Sequence, residues 1–170
     1  IYGYLFSSIS NWSYDITIWK FTTGSTGGGN GSGGSSGIAV PSPCTGNGTT
    51  APDILEPNDS TATATLSSLL PVYCTGLSID SSTDVDYFQI DMISGVTYYA
   101  NITFNHASGD IDTHWNSASG SFLSSSGGTS NVESMQVTAS SNQTTYIDVY
   151  GWSSAINTYD IEISTDNPGG

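Results

Sequence analysis

Two short acidic stretches of this chain hold the side chains best suited to bind a metal ion. The first is Glu56–Ser60, with the sequence EPNDS, and the second is Asp84–Phe88, with the sequence DVDYF. A divalent cation such as calcium prefers hard oxygen ligands, which carboxylate and amide side chains supply. If the fold brings the two stretches together, they would form a shared carboxylate site.

Acid–base catalysis would most naturally use the two histidines, His106 and His114. Neither lies in a His-Glu-x-x-His array, and no Gly-x-Ser-x-Gly nucleophile elbow appears, since the Gly-Gly-Ser-Ser-Gly match at residues 33–37 lies in the Gly/Ser linker. We expect His114 to be a surface neighbour of Asp112. Because no positioned nucleophile and base can be named, the sequence predicts that the chain is not an enzyme.

The charge of the chain restricts its partners. It contains 15 acidic residues against one lysine, Lys20, and no arginine, which gives a net charge of −14. Nucleic-acid binding depends on clustered Lys and Arg, so we expect neither nucleic acid nor an anionic membrane as a partner. No stretch has the length and hydrophobicity of a membrane span. The first residue is Ile1 rather than Met, and we expect that a leader or an upstream domain was removed.

Most of the chain has the alternating pattern of half-buried strands. Between Val96 and Phe104 every second side chain is apolar, and the pattern recurs in Phe88–Met92, around Ile147 and in Tyr159–Ile163. Seven or eight such strands separated by Gly, Ser and Asn turns predict an all-β fold, an antiparallel, jelly-roll-like β-sandwich.

Three large aromatic residues of this region are predicted to pack in or against the core, namely Trp115, Trp152 and Phe122. Trp152 follows Gly151 at a predicted strand end. A surface platform for sugar or peptide is therefore the alternative for this residue.

The chain divides into three regions by composition. Residues 1–21 form an arm rich in aromatic and β-branched side chains, residues 22–43 form a linker of mostly Gly, Ser and Thr, and residues 44–170 contain the predicted sandwich. One face of the arm, as an extended strand, carries Trp12, Tyr14, Ile16 and Ile18. An isolated strand of this size is not stable in water, so the arm requires a host sheet.

Three hosts for the arm remain open: a preceding domain, the sandwich of the same chain, and the sandwich of a neighbouring molecule. A linker of about 20 residues has a root-mean-square span near 25 Å and a maximum reach of about 60 Å, so all three are within range. We favour the neighbour, because an added strand would complete an open sheet edge. Such a contact is head-to-tail and propagates into a filament.

The two cysteines, Cys44 and Cys74, predict a single disulfide, since an isolated pair in an exported protein most simply pairs. The bond would fix the end of the linker to the strand around Cys74. A metal site or a reactive thiol is the less favoured alternative.

Asn-x-Ser/Thr triplets predict possible glycosylation at exposed positions. The candidates are Asn30, Asn47, Asn101 and Asn142. Occupancy would require a host with a suitable glycosylation pathway.

Residues 53–166 resemble the pre-peptidase C-terminal (PPC) domain. The resemblance is carried by the two acidic stretches and by four further segments, namely Gly95, Gly109–Asp112, Tyr146–Gly151 and Tyr159–Ile163. That family comprises secreted, non-catalytic β-sandwich modules appended to bacterial or archaeal extracellular enzymes. The resemblance implies an extracellular, disulfide-permissive location and an accessory role.

Within that family, the chain is similar to the collagen-binding domains of clostridial collagenases, in which the corresponding oxygens bind calcium. The similarity implies a structural calcium site. Its ligands would be Glu56, Asn58, Asp59, Asp84 and Asp86. The alternative is a solvated acidic turn in which Asn58 or Asp59 caps local backbone amides.

Two functions follow from the sequence. The leading hypothesis is an extracellular structural subunit that polymerises with copies of itself by donating its arm to the next sandwich. The alternative is an accessory targeting or stabilising module of a secreted peptidase, which binds protein or polysaccharide through exposed aromatic residues.

Overall fold

The computed structural model describes residues 43–67 and 70–167. The predicted assembly strand with Trp12, Tyr14, Ile16 and Ile18 lies outside the described residues, as does Asn30. The proposed limits of the arm and linker therefore stay predictions.

The described residues form ten strands and two 3-10 turns. The strands are β1 (Cys44–Thr45), β2 (Thr65–Leu66), β3 (Val72–Ile79), β4 (Val85–Met92), β5 (Thr97–Phe104), β6 (Ile111–Ser117), β7 (Phe122–Ser126), β8 (Val132–Thr138), β9 (Gln143–Gly151) and β10 (Asn157–Ser164). The 3-10 turns are His106–Ser108 and Trp152–Ser154. Within these residues no helix is long and apolar enough to cross a membrane.

Two five-stranded sheets pack against each other. Sheet A has the strand order β2-β4-β9-β6-β7, and sheet B has the order β1-β3-β10-β5-β8. All neighbours are antiparallel except the edge pairs β1–β3 and β2–β4, which are parallel. The predicted all-β sandwich is confirmed, with two short parallel edge strands added.

The core lies between the sheets and is built from alternate residues of each strand. Trp115, Tyr159 and Phe88 are its largest fully buried side chains. The indole of Trp115 donates to Thr145 Oγ1 at 2.9 Å, and that hydroxyl donates to the carbonyl of Ile90 at 3.1 Å, so the polar atoms in this part of the core are paired. The alternation predicted for Val96–Phe104 is confirmed, with Val96 at the margin of the core.

Two of the three aromatic residues predicted to pack in the core are instead on the surface. Phe122 is 70% exposed and Trp152 is 57% exposed. Phe122 begins the edge strand β7, where the pairing with β6 shifts in register between Trp115 and Asn116. Because one slip reverses the face of every following side chain, Phe122 lies on the outer face of sheet A. Trp152 lies in the 3-10 turn that ends β9.

The predicted disulfide is confirmed. In the parallel pair of β1 and β3, Cys44 lies directly opposite Cys74, and the two are bonded. The ladder continues through Gly46, whose amide donates to the carbonyl of Thr75 at 2.7 Å. A Cβ on Gly46 would lie 2.1 Å from the carbonyl oxygen of Gly76, so glycine is required at this close approach. The bond is typical of proteins in oxidising environments.

Reduction of this disulfide should destabilise the sandwich. The bonded cysteines are 30 residues apart, and the chain-entropy relation gives about 3 to 4 kcal/mol for a loop of this length. We expect the urea midpoint of unfolding to fall on reduction, and the Cys44→Ala/Cys74→Ala double variant to match the reduced protein. An identical midpoint for oxidised and reduced protein would contradict the expectation.

Candidate functional site

The two acidic stretches meet at one end of the sandwich. Glu56–Ser60 lies in the segment between β1 and β2, and Asp84 and Asp86 lie at the start of β4. The amide of Tyr87 donates to the carbonyl of Asn58 at 3.0 Å and joins the two segments.

Three carboxylates converge at this end. Glu56, Asp80 and Asp84 each offer one oxygen, and these three oxygens lie within 4.8 Å of one another. Asp80 was absent from the predicted ligand set. Its position four residues before Asp84, in the turn between β3 and β4, was the signal that could have identified it. The turn is closed by the amide of Asp80, which donates to Asp84 Oδ2 at 2.6 Å.

Two oxygens of this cluster are buried without a partner among the described residues, Glu56 Oε1 and Asp84 Oδ1. Desolvation by burial, with a smaller contribution from neighbouring carboxylates, raises the pKa of Glu56 from 4.5 to about 7. The same two causes raise the pKa of Asp84 from 3.8 to about 6. A bound cation would relieve this electrostatic cost by compensating the negative charges.

Two residues of the predicted set, Asn58 and Asp86, lie deeper and are hydrogen-bonded to the core. Tyr159 donates its hydroxyl to Asp86 Oδ2 at 2.5 Å. In the amide orientation that satisfies both neighbours, Asn58 Nδ2 donates to Asp86 Oδ1 at 2.9 Å and to Glu56 Oε2 at 3.2 Å. Burial raises the pKa of Asp86 well above its usual range. These contacts hold the Glu56 carboxylate in place from the core side.

The remaining member, Asp59, is exposed beside the cluster, where its charge raises the pKa of both Glu56 and Asp84. The converging carboxylates of Glu56, Asp80 and Asp84, two of them with a buried unpaired oxygen, have the donor chemistry that calcium requires. Calcium binding at this cluster stays a prediction.

The outer face of sheet A carries a second candidate site. Phe122 packs edge-on against the ring of His114 with a centroid distance of 4.8 Å, and Tyr150 lies on the same ring at 5.0 Å. Tyr87 and Tyr146 line the adjoining groove, which has a volume of about 440 Å³. Five aromatic rings therefore share this surface, which we call the aromatic face.

A hydrogen-bond network holds the centre of the aromatic face. His114 Nδ1 lies 3.0 Å from Asp148 Oδ1, and the His114 backbone amide donates to the same oxygen at 3.2 Å. Asn116 donates to Asp148 Oδ2 at 2.8 Å, and His114 Nε2 lies 3.2 Å from the hydroxyl of Tyr150. The side-chain partner of His114 is thus Asp148 on the neighbouring strand β9, while His114 offsets part of the burial-driven rise in the pKa of Asp112, its predicted neighbour.

The network has the form of an acid–base relay but lacks a reactive nucleophile. Burial, with the nearby carboxylates of Asp112 and Asp148, raises the pKa of Tyr150 to about 12. Its hydroxyl therefore stays protonated at neutral pH and is a poor nucleophile. His106 is paired separately with Asp110, at 3.0 Å. The expectation that the chain is not an enzyme stays a prediction.

Three predicted glycosylation positions fall among the described residues. Asn47 and Asn142 are exposed, and Asn101 is half-buried on the outer face of β5, where it accepts a hydrogen bond from Ser134 at 2.7 Å. Occupancy at these positions stays a prediction.

We expect calcium to stabilise the chain through the acidic cluster. At a calcium concentration about 100 times the Kd, the melting temperature should rise by roughly 5 to 10 °C relative to chelator. Glu56→Gln and Asp84→Asn should remove most of this rise. Asp166→Asn is the matched control. Asp166 follows the end of β10 that lies away from the acidic cluster, so this variant should retain the rise in melting temperature. Equal melting temperatures with calcium and with chelator would end the calcium hypothesis.

In chelator, stability should decrease as the pH rises. Both Glu56 and Asp84 have folded-state pKa values above their ordinary values. The folded state therefore binds protons more tightly than the unfolded state, and the resulting stability is present below about pH 4 and is lost as the pH rises towards 7. The melting temperature should fall between pH 5 and pH 8, with a smaller fall in Glu56→Gln. A melting temperature that rises between pH 5 and pH 8 would contradict the prediction.

Comparison with known proteins finds matches among solved structures. No protein-family model matches the sequence, and no curated protein matches it. Among solved structures, the chain is similar to the pre-peptidase C-terminal domain of a collagenase from Bacillus anthracis, at 12% sequence identity and a TM-score of 0.44. The match covers 55% of this chain and 87% of that domain. The matched domain bears the name of the family that residues 53–166 resemble in sequence.

Proposed function

We propose that this chain is a non-catalytic accessory module of a secreted protein, and that it attaches to an extracellular protein or polysaccharide through the aromatic face. The observation that supports this proposal most directly is the exposure of Phe122 beside the His114–Tyr150 pair. The sequence resemblance to PPC domains supports the accessory role, and the disulfide supports an extracellular location.

The aromatic face has the chemistry of a binding surface. Phe122 is 70% exposed and lies beside four further aromatic rings, so the exposed apolar area is grouped, as it is on binding surfaces. Aromatic rings stack on sugar rings and pack against peptide side chains, while the nearby amide and hydroxyl groups of Asn116 and Ser117 can orient a ligand.

The rigidity of the face favours affinity. Because His114 is held by Asp148 on one ring nitrogen and by Tyr150 on the other, the rings of His114 and Tyr150 lose little conformational freedom on binding. The carboxylates of Asp112 and Asp148 under the face would repel an anionic polymer. A neutral or basic extracellular polymer is the fitting ligand.

Removal of the exposed ring should weaken attachment. We expect Phe122→Ala to reduce the affinity for the bound polymer about tenfold, which corresponds to about 1.4 kcal/mol. Sedimentation with insoluble collagen, elastin, chitin and cellulose would first identify the polymer and then measure the loss. Ile93→Ala is the matched control, since Ile93 is 62% exposed in the turn after β4, outside the aromatic face. Equal binding by the two variants would contradict the proposal.

Self-assembly through the arm is the second candidate, and one observation favours it. Strand β8 ends sheet B and forms a ladder only with β5 among the described residues, so the other side of Val132–Thr138 has no strand paired with it, although the Ser134 amide there donates to Ser126 Oγ of β7 at 3.2 Å. An open edge of this length is a template for strand addition. The arm itself lies outside the described residues, which places this hypothesis second.

Deletion of residues 1–21 tests the assembly hypothesis. If the arm joins subunits, the full chain should form filaments or oligomers visible by electron microscopy and light scattering, and the shortened chain should be a soluble monomer. The same oligomeric state for both chains would exclude the arm as the connection.

A further inference from the structure

We propose that residues 127–130, in the loop between β7 and β8, form a pH-sensitive flap over two buried carboxylates, those of Asp112 and Glu133. The flap is closed when Asp112 is protonated and opens when Asp112 is ionised. This inference goes beyond the proposed attachment role and does not depend on it.

The two carboxylates under the flap are buried but incompletely paired. Asp112 is 9% exposed and Glu133 is 3% exposed. Glu133 Oε2 accepts a hydrogen bond from the Ser126 hydroxyl at 2.5 Å, whereas Glu133 Oε1 and Asp112 Oδ1 have no partner among the described residues. A buried carboxylate oxygen is costly in its ionised form when neither water nor a donor compensates the charge. The closed flap therefore opposes ionisation of both groups.

Two glycines form the cover. A Cβ built on Gly127 would lie 2.9 Å from Asp112 Oδ1 and 3.0 Å from Asp112 Oδ2, so the backbone of Gly127 lies directly against this carboxylate. A Cβ built on Gly128 would lie 3.9 Å from Glu133 Oε1. Two adjacent residues without side chains thus separate both unpaired oxygens from solvent.

The flap is weakly held between two fixed ends. Residues 127–129 form no hydrogen bond within the described part of the chain, and residues 127–130 are exposed. At the end before the flap, the Ser126 hydroxyl accepts a hydrogen bond from the β8 backbone at 3.2 Å. At the end after it, the Asn131 carbonyl accepts one from the β5 backbone at 2.9 Å. An exposed segment with so few bonds opens at a low cost in free energy.

The charged groups around Asp112 supply the pH sensitivity. Burial, and then the carboxylates of Asp110 and Glu133, raise the pKa of Asp112 above its usual value. His114 and the hydroxyl of Tyr150 act less strongly in the opposite direction. These groups come from β6 and the residue before it, from β8 and from β9, which are the elements that surround Asp112.

The direction of the pH effect follows from this raised pKa. The closed state binds a proton at Asp112 more tightly than the open state, in which water reaches the carboxylate. Closure is therefore favoured below the ordinary pKa of aspartate, about 4, and is lost as the pH rises through the raised value. Since Asp112 lies opposite Tyr150 in the β6–β9 ladder, opening would expose a negative charge at the margin of the aromatic face.

Nuclear magnetic resonance of the full chain tests the flap, because the amides of Gly127 and Gly128 report directly on its position. Relaxation dispersion measures the open population. We expect this population to increase at least about fivefold between pH 4 and pH 8. The midpoint of the increase should coincide with the titration of the Asp112 carboxyl carbon.

Three variants separate the flap from a general effect of charge. Asp112→Asn keeps the size of the side chain and removes its charge, so the open population at pH 8 should stay near the wild-type value at pH 4. Gly127→Ala should hold the flap open at both pH values, since the added Cβ would meet the Asp112 carboxylate. Asp91→Asn is the matched control, because it removes the same charge from an exposed position on β4 and should behave as wild type.

The outcomes decide the inference. An open population that rises with pH in wild type and in Asp91→Asn, but not in Asp112→Asn, supports it. A population that is constant with pH in wild type, or that rises equally in Asp112→Asn, overturns it. A closed flap in Gly127→Ala also overturns it, and this variant decides the question if circular dichroism shows that Asp112→Asn is unfolded. Attachment through Phe122 is measured separately, so its failure would be distinguishable from failure of the flap.

Discussion

The hydrogen bond between Tyr159 and Asp86 is the constraint on which the rest of the fold depends. Tyr159 belongs to sheet B and Asp86 to sheet A, so the bond crosses the core and ties the two layers together. The other oxygen of Asp86 is bound by Asn58, which fixes the loop that carries Glu56. A buried carboxylate is stable only when its oxygens are hydrogen-bonded. Loss of any one residue of this hydrogen-bonded series would therefore leave its neighbour with a buried, unsatisfied polar group.

That constraint also concentrates charge at one end of the sandwich. The loop with Glu56 is held against the start of β4, so its carboxylate cannot move away from Asp84 and Asp80. Burial is the main cause of the raised pKa values of Glu56 and Asp84, and the enforced proximity of the carboxylates adds a smaller contribution. The aromatic face lies on the outer side of sheet A. There the rings are held by the hydrogen-bond network around His114 and not by packing in a buried core.

The parts of the fold set by strand periodicity could be predicted from the sequence, whereas the parts set by register could not. The alternation in Val96–Phe104 identified the core face correctly, and the isolated cysteine pair gave the correct disulfide. The exposure of Phe122 depended on a one-residue shift between β6 and β7, which leaves no trace in residue types.

The acidic site shows the same limit. The meeting of the two motif stretches was anticipated, but Asp80 was missed because it joins the cluster through the turn between β3 and β4. The inward direction of Asp86 depends on Tyr159, some 73 positions away in the chain, and no local pattern indicates such a pair. Short motifs therefore located the site, and tertiary contacts decided which oxygens face outward.

The disulfide between Cys44 and Cys74 determines how mechanical load enters the sandwich. Tension applied through the residues before Cys44 passes by a covalent bond into β3, which is flanked by β10. The intervening segment, with the loop that carries Glu56, is bypassed and is not stretched. Tension applied through the linker is therefore carried by β3, and neither β1 beyond Cys44 nor the acidic end of the molecule bears it.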